Sequence, residues 1–129
     1  IYLCGITATP DNSLTEIHKT ALGAEDSVKW EYYSNTIDVV EKLKMEGYTI
    51  VSVEQVEQSI KLDEFKADSS KHYALILGNE VKGVQQEVVD ISDISLEIPQ
   101  YGTKHSLNVS VSAGIVLWEF AKQLKNMLD

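Results

Sequence analysis

Short β-rich runs alternate along this chain with stretches whose apolar residues recur every three or four positions. A chain with that rhythm folds as an α/β domain with a largely parallel sheet flanked by helices. The candidate strands are Ile1 to Ile6, Val28 to Tyr33, Tyr48 to Val53, Tyr73 to Leu77 and Ile94 to Ile98. Ser13 to Leu22 reads as a helix, with Leu14, Ile17, Ala21 and Leu22 on one side, Ser13 as its cap and Gly23 as its stop. A second helix, Asn35 to Glu46, starts at Asn35 or Thr36, gathers Val39, Val40 and Leu43, and stops at Gly47. Its Asp38, Glu41, Lys42 and Lys44 form a solvated face. The last helix, from about Asn108 to Leu128, is apolar over much of its circumference and is expected to be buried more deeply than a surface helix. The acidic, irregular stretch Glu54 to Ser70 reads as a loop with a short turn of helix. With no repeat and no linker, residues 1–129 are expected to form one domain.

Composition narrows the class. At 129 residues, 43% hydrophobic and 24% charged, the chain matches one soluble globular domain. The single thiol, Cys4, cannot form an internal bridge and nothing resembles a signal peptide, so a reducing cytoplasm is the expected home. No apolar run approaches the roughly 20 residues that cross a bilayer. The net charge of −9 arises from 20 acidic and 11 basic residues, and all 11 are lysine. Such a surface repels phosphate backbones and argues against tight, non-specific nucleic-acid binding. The chain opens on Ile1 directly in a strand that reads as buried, with no lead-in, which is the pattern of a fragment.

Several common sites are excluded. Gly78 and Gly83 have P-loop spacing, but Val84-Gln85 follows where Lys-Ser/Thr is required. No G-x-G-x-x-G follows the first strand, and no G-x-S-x-G marks a hydrolase elbow. His18, His72 and His105 lie far apart and no C-x-x-C or H-E-x-x-H occurs, so no metal site is expected. A receiver-like signalling domain needs an Asp at the strand ends, which here read Gly5-Ile6-Thr7 and Val51-Ser52-Val53.

Two segments remain. Leu75 to Val84 is a buried strand running into a glycine-flanked turn that holds Glu80; by itself it reads as an ordinary strand-to-helix turn. In Leu96 to Gly114 a strand ends at Pro99, a polar loop follows, and Ser106, Asn108, Ser110 and Ser112 alternate with apolar residues into the last helix. An N-cap accounts for Ser106 or Asn108 but not for all four, since polar groups entering a buried helix must find partners or face a ligand.

Taken in order, these segments resemble the second and third motifs of the SpoU (TrmH-like) branch of the SPOUT methyltransferases, enzymes that methylate ribose 2'-hydroxyls of tRNA or rRNA. The G-x-E-x-x-G turn appears as Gly78, Glu80 and Gly83, and the I-P-x-x-G…S-L-N-V-S-V signature as Ile98, Pro99, Gly102 and Ser106 to Val111. Upstream, Ile17 to Ala24 is similar to a helix and Gly-Ala turn of these enzymes, so the resemblance covers essentially the whole chain. It implies a SPOUT-type knotted α/β fold with a carboxyl-terminal trefoil knot, S-adenosylmethionine as cofactor, RNA rather than DNA as substrate, no membrane partner, and a homodimer. By position, Leu77, Gly78, Asn79, Ile98, Gln100, Ser106 and Leu107 are implied to hold the cofactor, and Glu80, Ser106 and Asn108 to be the polar active-site residues. Such residues must hold a sulfonium methyl in line with a ribose oxygen and handle that oxygen's proton.

The departures are as specific. Val81 stands where the family often has glycine, and Gln100 where methionine is usual. The family's first motif, an asparagine followed by an arginine that assists proton removal, normally precedes the strand that here begins at Ile1, and this chain has no arginine. The simplest explanation is a missing amino-terminal part, without which the chain alone is inactive; the alternative is a pseudo-enzyme that binds S-adenosylmethionine or RNA without catalysis. Lys82 and Lys104, in the two motif loops, are the better candidates for phosphate contacts, and His105 for a substrate or loop contact.

Overall fold

The computed structural model describes residues 1–7, 9, 27–79, 81–102 and 107–125. The chain divides into two compact units, Ile1–Lys42 and Leu43–Asp129. In the first, β1 (Tyr2–Cys4) pairs in parallel with β2 (Glu31–Tyr33), Tyr2 opposite Glu31 and Cys4 opposite Tyr33. β1 is shorter than the predicted Ile1 to Ile6 because Gly5, at φ +59°, turns the chain out of the strand. Ile1 and Ile6 are exposed rather than buried. The predicted helix Ser13 to Leu22 lies outside the described residues.

Helix α1 (Thr36–Met45) has both of its predicted ends. Asn35 Oδ1 accepts the Ile37 N–H at 3.0 Å, an N-cap. At the other end Gly47, at φ +91°, donates to Lys44 O and Tyr48 donates to Leu43 O, both at 3.0 Å; this pair of bonds is the Schellman stop that a left-handed glycine permits. Val39, Val40 and Leu43 are buried as their spacing predicted. Lys42 departs from the solvated face, because its ammonium lies 5.3 Å from the Tyr2 ring centroid and 5.9 Å from that of Tyr33. The hydrogen bond to the Tyr2 hydroxyl, then that to Tyr33, raises its pKa above the ordinary lysine value.

The second unit is built on a four-stranded parallel sheet in the order β4-β6-β3-β5. The strands are β3 (Thr49–Val53), β4 (Ile60–Lys61), β5 (Tyr73–Leu77) and β6 (Ile94–Glu97). β3 is central and pairs Val53 with Leu77 on one side and with Leu96 on the other, so three strands end level at their carboxyl edge. On one face Val51 and Leu96 pack with Leu62, Phe65, Val116 and Phe120. On the other, buried Ile50 and Ser52 face helix α2 (Gln86–Ile91), whose end is tied down by a 2.5 Å bond between Ser52 Oγ and Ser92 Oγ and by Ser92 Oγ donating to Val88 O at 2.8 Å. Glu54 to Ser70 holds one 3-10 turn, Leu62–Glu64, as expected, and also the two-residue edge strand β4.

The last helix, α3 (Val109–Leu124), begins where predicted, with Asn108 as its N-cap. Its burial differs from the expectation. Val116 and Phe120 are buried, but Val111 (50%), Ile115 (39%) and Trp118 (69%) are exposed, one apolar stripe at i, i+4 and i+7 on the opposite side. The helix is apolar around most of its circumference because one side meets the sheet and the other is left uncovered in a single chain. The threading expected of a trefoil knot involves residues 103–106, which lie outside the described residues. Among the described residues no helix is long and apolar enough to cross a membrane.

Candidate active site

At the carboxyl edge of the larger sheet the strand ends and the loops after them line an open cavity of about 440 Å³. Its floor comes from the end of β3, Val53 to Val56, and from Leu96 and Glu97 of β6. One wall is the turn after β5, Leu77 to Val84 without the undescribed position 80. The rest of the lining is Ile98 and Gln100 after β6, with Leu107, Val109 and Ser112 at the head of α3. Crevices at the carboxyl ends of parallel strands are where open α/β sheets bind their ligands, because the loops diverge there and leave backbone groups unpaired.

The turn after β5 is closed by its own backbone. Asn79 Oδ1 accepts the N–H groups of Val81 and Lys82, at 2.9 and 2.6 Å, and Gly83 donates to Asn79 O at 2.9 Å. Gly83 sits at φ +65°, a conformation that favours glycine. Gly78 is required for a different reason: a Cβ there would overlap the carbonyl group of Gly83 and the nitrogen of Val84, so the two backbone limbs touch. At the same place Glu54 Oε2 accepts the Val84 N–H at 2.8 Å, and Oε1 accepts the Gln55 N–H at 3.2 Å. Among the described residues the charged lining is two carboxylates, Glu54 and Glu97, against one ammonium, Lys82. Glu97 Oε1 accepts from Ser59 Oγ at 2.8 Å.

The structure therefore brings Leu77, Gly78, Asn79, Ile98, Gln100 and Leu107 to one cavity, although 30 positions separate the first from the last. Glu80 and Ser106 lie outside the described residues, as do Lys104 and His105. Asn108 has a defined place: it is exposed, its Oδ1 accepts the Ser110 N–H at 2.8 Å, and it is not among the residues lining the cavity, although its neighbours Leu107 and Val109 are. Glu54 was not among the expected site residues. Its position one residue past a predicted strand is a signal that could have marked it, since ligands meet α/β sheets there. Its bond to Val84, 30 residues on, is not readable from sequence. Among the described residues no cluster of His, Cys, Asp and Glu is arranged to hold a metal ion.

A parallel sheet with a glycine-bounded turn and a cavity at its carboxyl edge places this chain among the open-sheet α/β proteins, whose ligand crevices lie at that edge. Residues 3–118 match the SpoU rRNA methylase family, and the chain belongs to it. It is 38% identical over 102 residues to the tRNA (guanosine(18)-2'-O)-methyltransferase of Aquifex aeolicus, a match spanning 77% of this chain and 47% of that one. It is 37% identical over 90 residues to the tRNA (guanosine(18)-2'-O)-methyltransferase TARBP1 of Mus musculus, 70% of this chain and 6% of that one. The crystal structure of the AdoMet-bound rRNA methyltransferase from Sinorhizobium meliloti superposes with a TM-score of 0.83 at 29% identity, covering 96% of this chain and 46% of that one. The chain thus spans less than half the length of these two curated relatives.

Proposed function

We propose that this chain is the cofactor-binding portion of an RNA 2'-O-ribose methyltransferase that acts in the cytoplasm on tRNA or rRNA with S-adenosylmethionine. The observation that carries the reading is that residues of both signature segments, Leu77 to Gly83 and Ile98 to Leu107, line the same cavity. The cavity fits the cofactor on its own terms. Its volume, about 440 Å³, lies in the range of about 300–1,000 Å³ usual for small-molecule sites. Its excess of carboxylates, Glu54 and Glu97 against Lys82, suits a cationic sulfonium. The backbone contact of Gly78 with Gly83 leaves no room for a side chain at position 78 on that wall. When bound, S-adenosylmethionine supplies an electrophilic methyl group.

In this reading Leu77, Gly78, Asn79, Ile98, Gln100 and Leu107, with Ser106, orient the cofactor. Glu80, Ser106 and Asn108 are the polar groups that position the ribose hydroxyl and hold its proton. Asn108 also caps α3, which shapes the experiment: Asn108→Ala costs about 1 kcal/mol of capping as well as any catalytic role, whereas Asn108→Ser keeps a capping oxygen. The complete protein should transfer labelled methyl groups from S-adenosylmethionine to ribose 2'-hydroxyls of tRNA or rRNA. Asn108→Ser should lower that rate by about 100-fold or more with an unchanged melting temperature, a loss in the range of one positioned proton-handling group. Wild-type turnover in that variant removes Asn108 from the reaction, and an absence of RNA methylation by the wild-type protein rejects the activity.

The same proposal includes a homodimer. The support is the uncovered stripe of Val111, Ile115 and Trp118 on α3, a helix face whose apolar area belongs against another surface. A second copy offers the same stripe, so a two-fold contact covers both at once. Sedimentation velocity should show a dimer for wild type and a monomer for Trp118→Asp with unaltered circular dichroism. A variant that remains dimeric moves the interface elsewhere.

A further inference from the structure

We infer that Glu54 is a positioning residue for the cofactor cavity: from the end of β3 its carboxylate fixes the Gly78–Val84 wall and thereby sets how tightly S-adenosylmethionine or S-adenosylhomocysteine is held. This rests on the cofactor reading given above. The bonds that close the turn, Asn79 Oδ1 to Val81 and Lys82 and Gly83 to Asn79, are internal to it and do not fix where it stands. Glu54 supplies that link. Its own N–H donates to Leu96 O at 2.9 Å, which locks the residue to β6, and its Oε2 accepts the Val84 N–H at 2.8 Å, which carries the far limb of the turn onto β3.

Gly83 makes the fit legible. The space that a side chain at position 83 would fill is taken by the Glu54 carboxylate, which a Cβ there would strike. The turn is therefore closed over the carboxylate, and one residue joins the ends of three strands: Glu54 follows β3, its side chain holds Val84 beyond β5, and its backbone N–H holds Leu96 of β6. An anionic acceptor strengthens the bond it makes to a backbone N–H, and losing it leaves that N–H without its partner at a wall the ligand must press against.

Two substitutions separate position from charge. Glu54→Gln removes the charge but keeps an oxygen at the same reach. Glu54→Asp keeps the charge and withdraws it by one methylene, out of hydrogen-bond range of Val84 N. In the complete protein, calorimetric titration with S-adenosylhomocysteine should give Glu54→Gln a Kd within about threefold of wild type, and Glu54→Asp a Kd raised about tenfold, the scale of one lost hydrogen bond. Amide hydrogen exchange at Val84, measured without ligand, should rise in Glu54→Asp and stay near wild type in Glu54→Gln. The reverse ranking, with Asp binding normally and Gln poorly, assigns Glu54 to ligand charge and overturns the inference, as do two variants that both bind like wild type. If the wild-type protein binds no S-adenosylhomocysteine, the cofactor reading falls and this inference with it.

Discussion

Gly78→Val is expected to weaken S-adenosylhomocysteine binding by about 100-fold or more, equivalent to about 3 kcal/mol. The reason is local and steric. Gly78 lies where the limb leaving β5 crosses the limb returning at Gly83, and its missing Cβ is the room in which the Gly83 carbonyl and the Val84 nitrogen stand. The obstructing atoms are backbone, so no rotamer change relieves the overlap; the turn must open and carry Asn79, Val81 and Lys82 away from the cavity they line. Calorimetric titration reads the loss, and a thermal melt alongside it shows whether the rest of the fold survives. Retained binding within about threefold of wild type means that the turn can open without disturbing the ligand, and the cavity then loses this wall.

Phe120→Ala should destabilise the protein by about 3–5 kcal/mol in urea unfolding, the usual cost of deleting a buried aromatic ring. Phe120 is 6% exposed, and its ring centroid lies 5.2 Å from those of both Phe65 and Tyr73. These three join α3, β5 and the segment after the 3-10 turn, so the cavity left behind has walls from three elements that cannot collapse together. Gln123 reinforces the same joint by accepting the Ala67 N–H at 2.6 Å and donating to Phe65 O at 3.0 Å. A change below about 1 kcal/mol would show that the aromatic trio is peripheral to the core.

What could be read from the sequence follows from how local each signal is. β5 runs from Tyr73 to Leu77 as predicted because a compact apolar run states its own ends, and α1 is bracketed by Asn35 and Gly47, which act on neighbours two to four residues away. Helix α2 is implied by the strand-to-helix reading of the turn before it but has no readable bounds, because six residues show too little period, and β4 is not readable because a two-residue edge strand has none. The burial of α3 was overestimated, since a pattern records which residues are apolar and not whether one chain covers all of them. Lys42 was assigned to solvent because its aromatic partners come from β1 and β2. At the site, the family resemblance pointed to Leu77, Gly78, Asn79, Ile98, Gln100 and Leu107, which line one cavity, while Glu54, whose partner is remote in sequence, required the fold.

The strand order carries a consequence for synthesis of the chain. β6 lies between β4 and β3, so β4 has no partner in the sheet until the chain has been made through Glu97, and β3 can meet only β5 before then. The nascent chain must therefore hold Ile60 and Lys61 unpaired at an edge while a later strand is inserted beside them. Closing a parallel pairing across such a separation is slow, because the intervening loop's entropy is lost before any contact compensates for it. The strand that completes the cavity floor is thus also the one that gives β4 its place in the sheet.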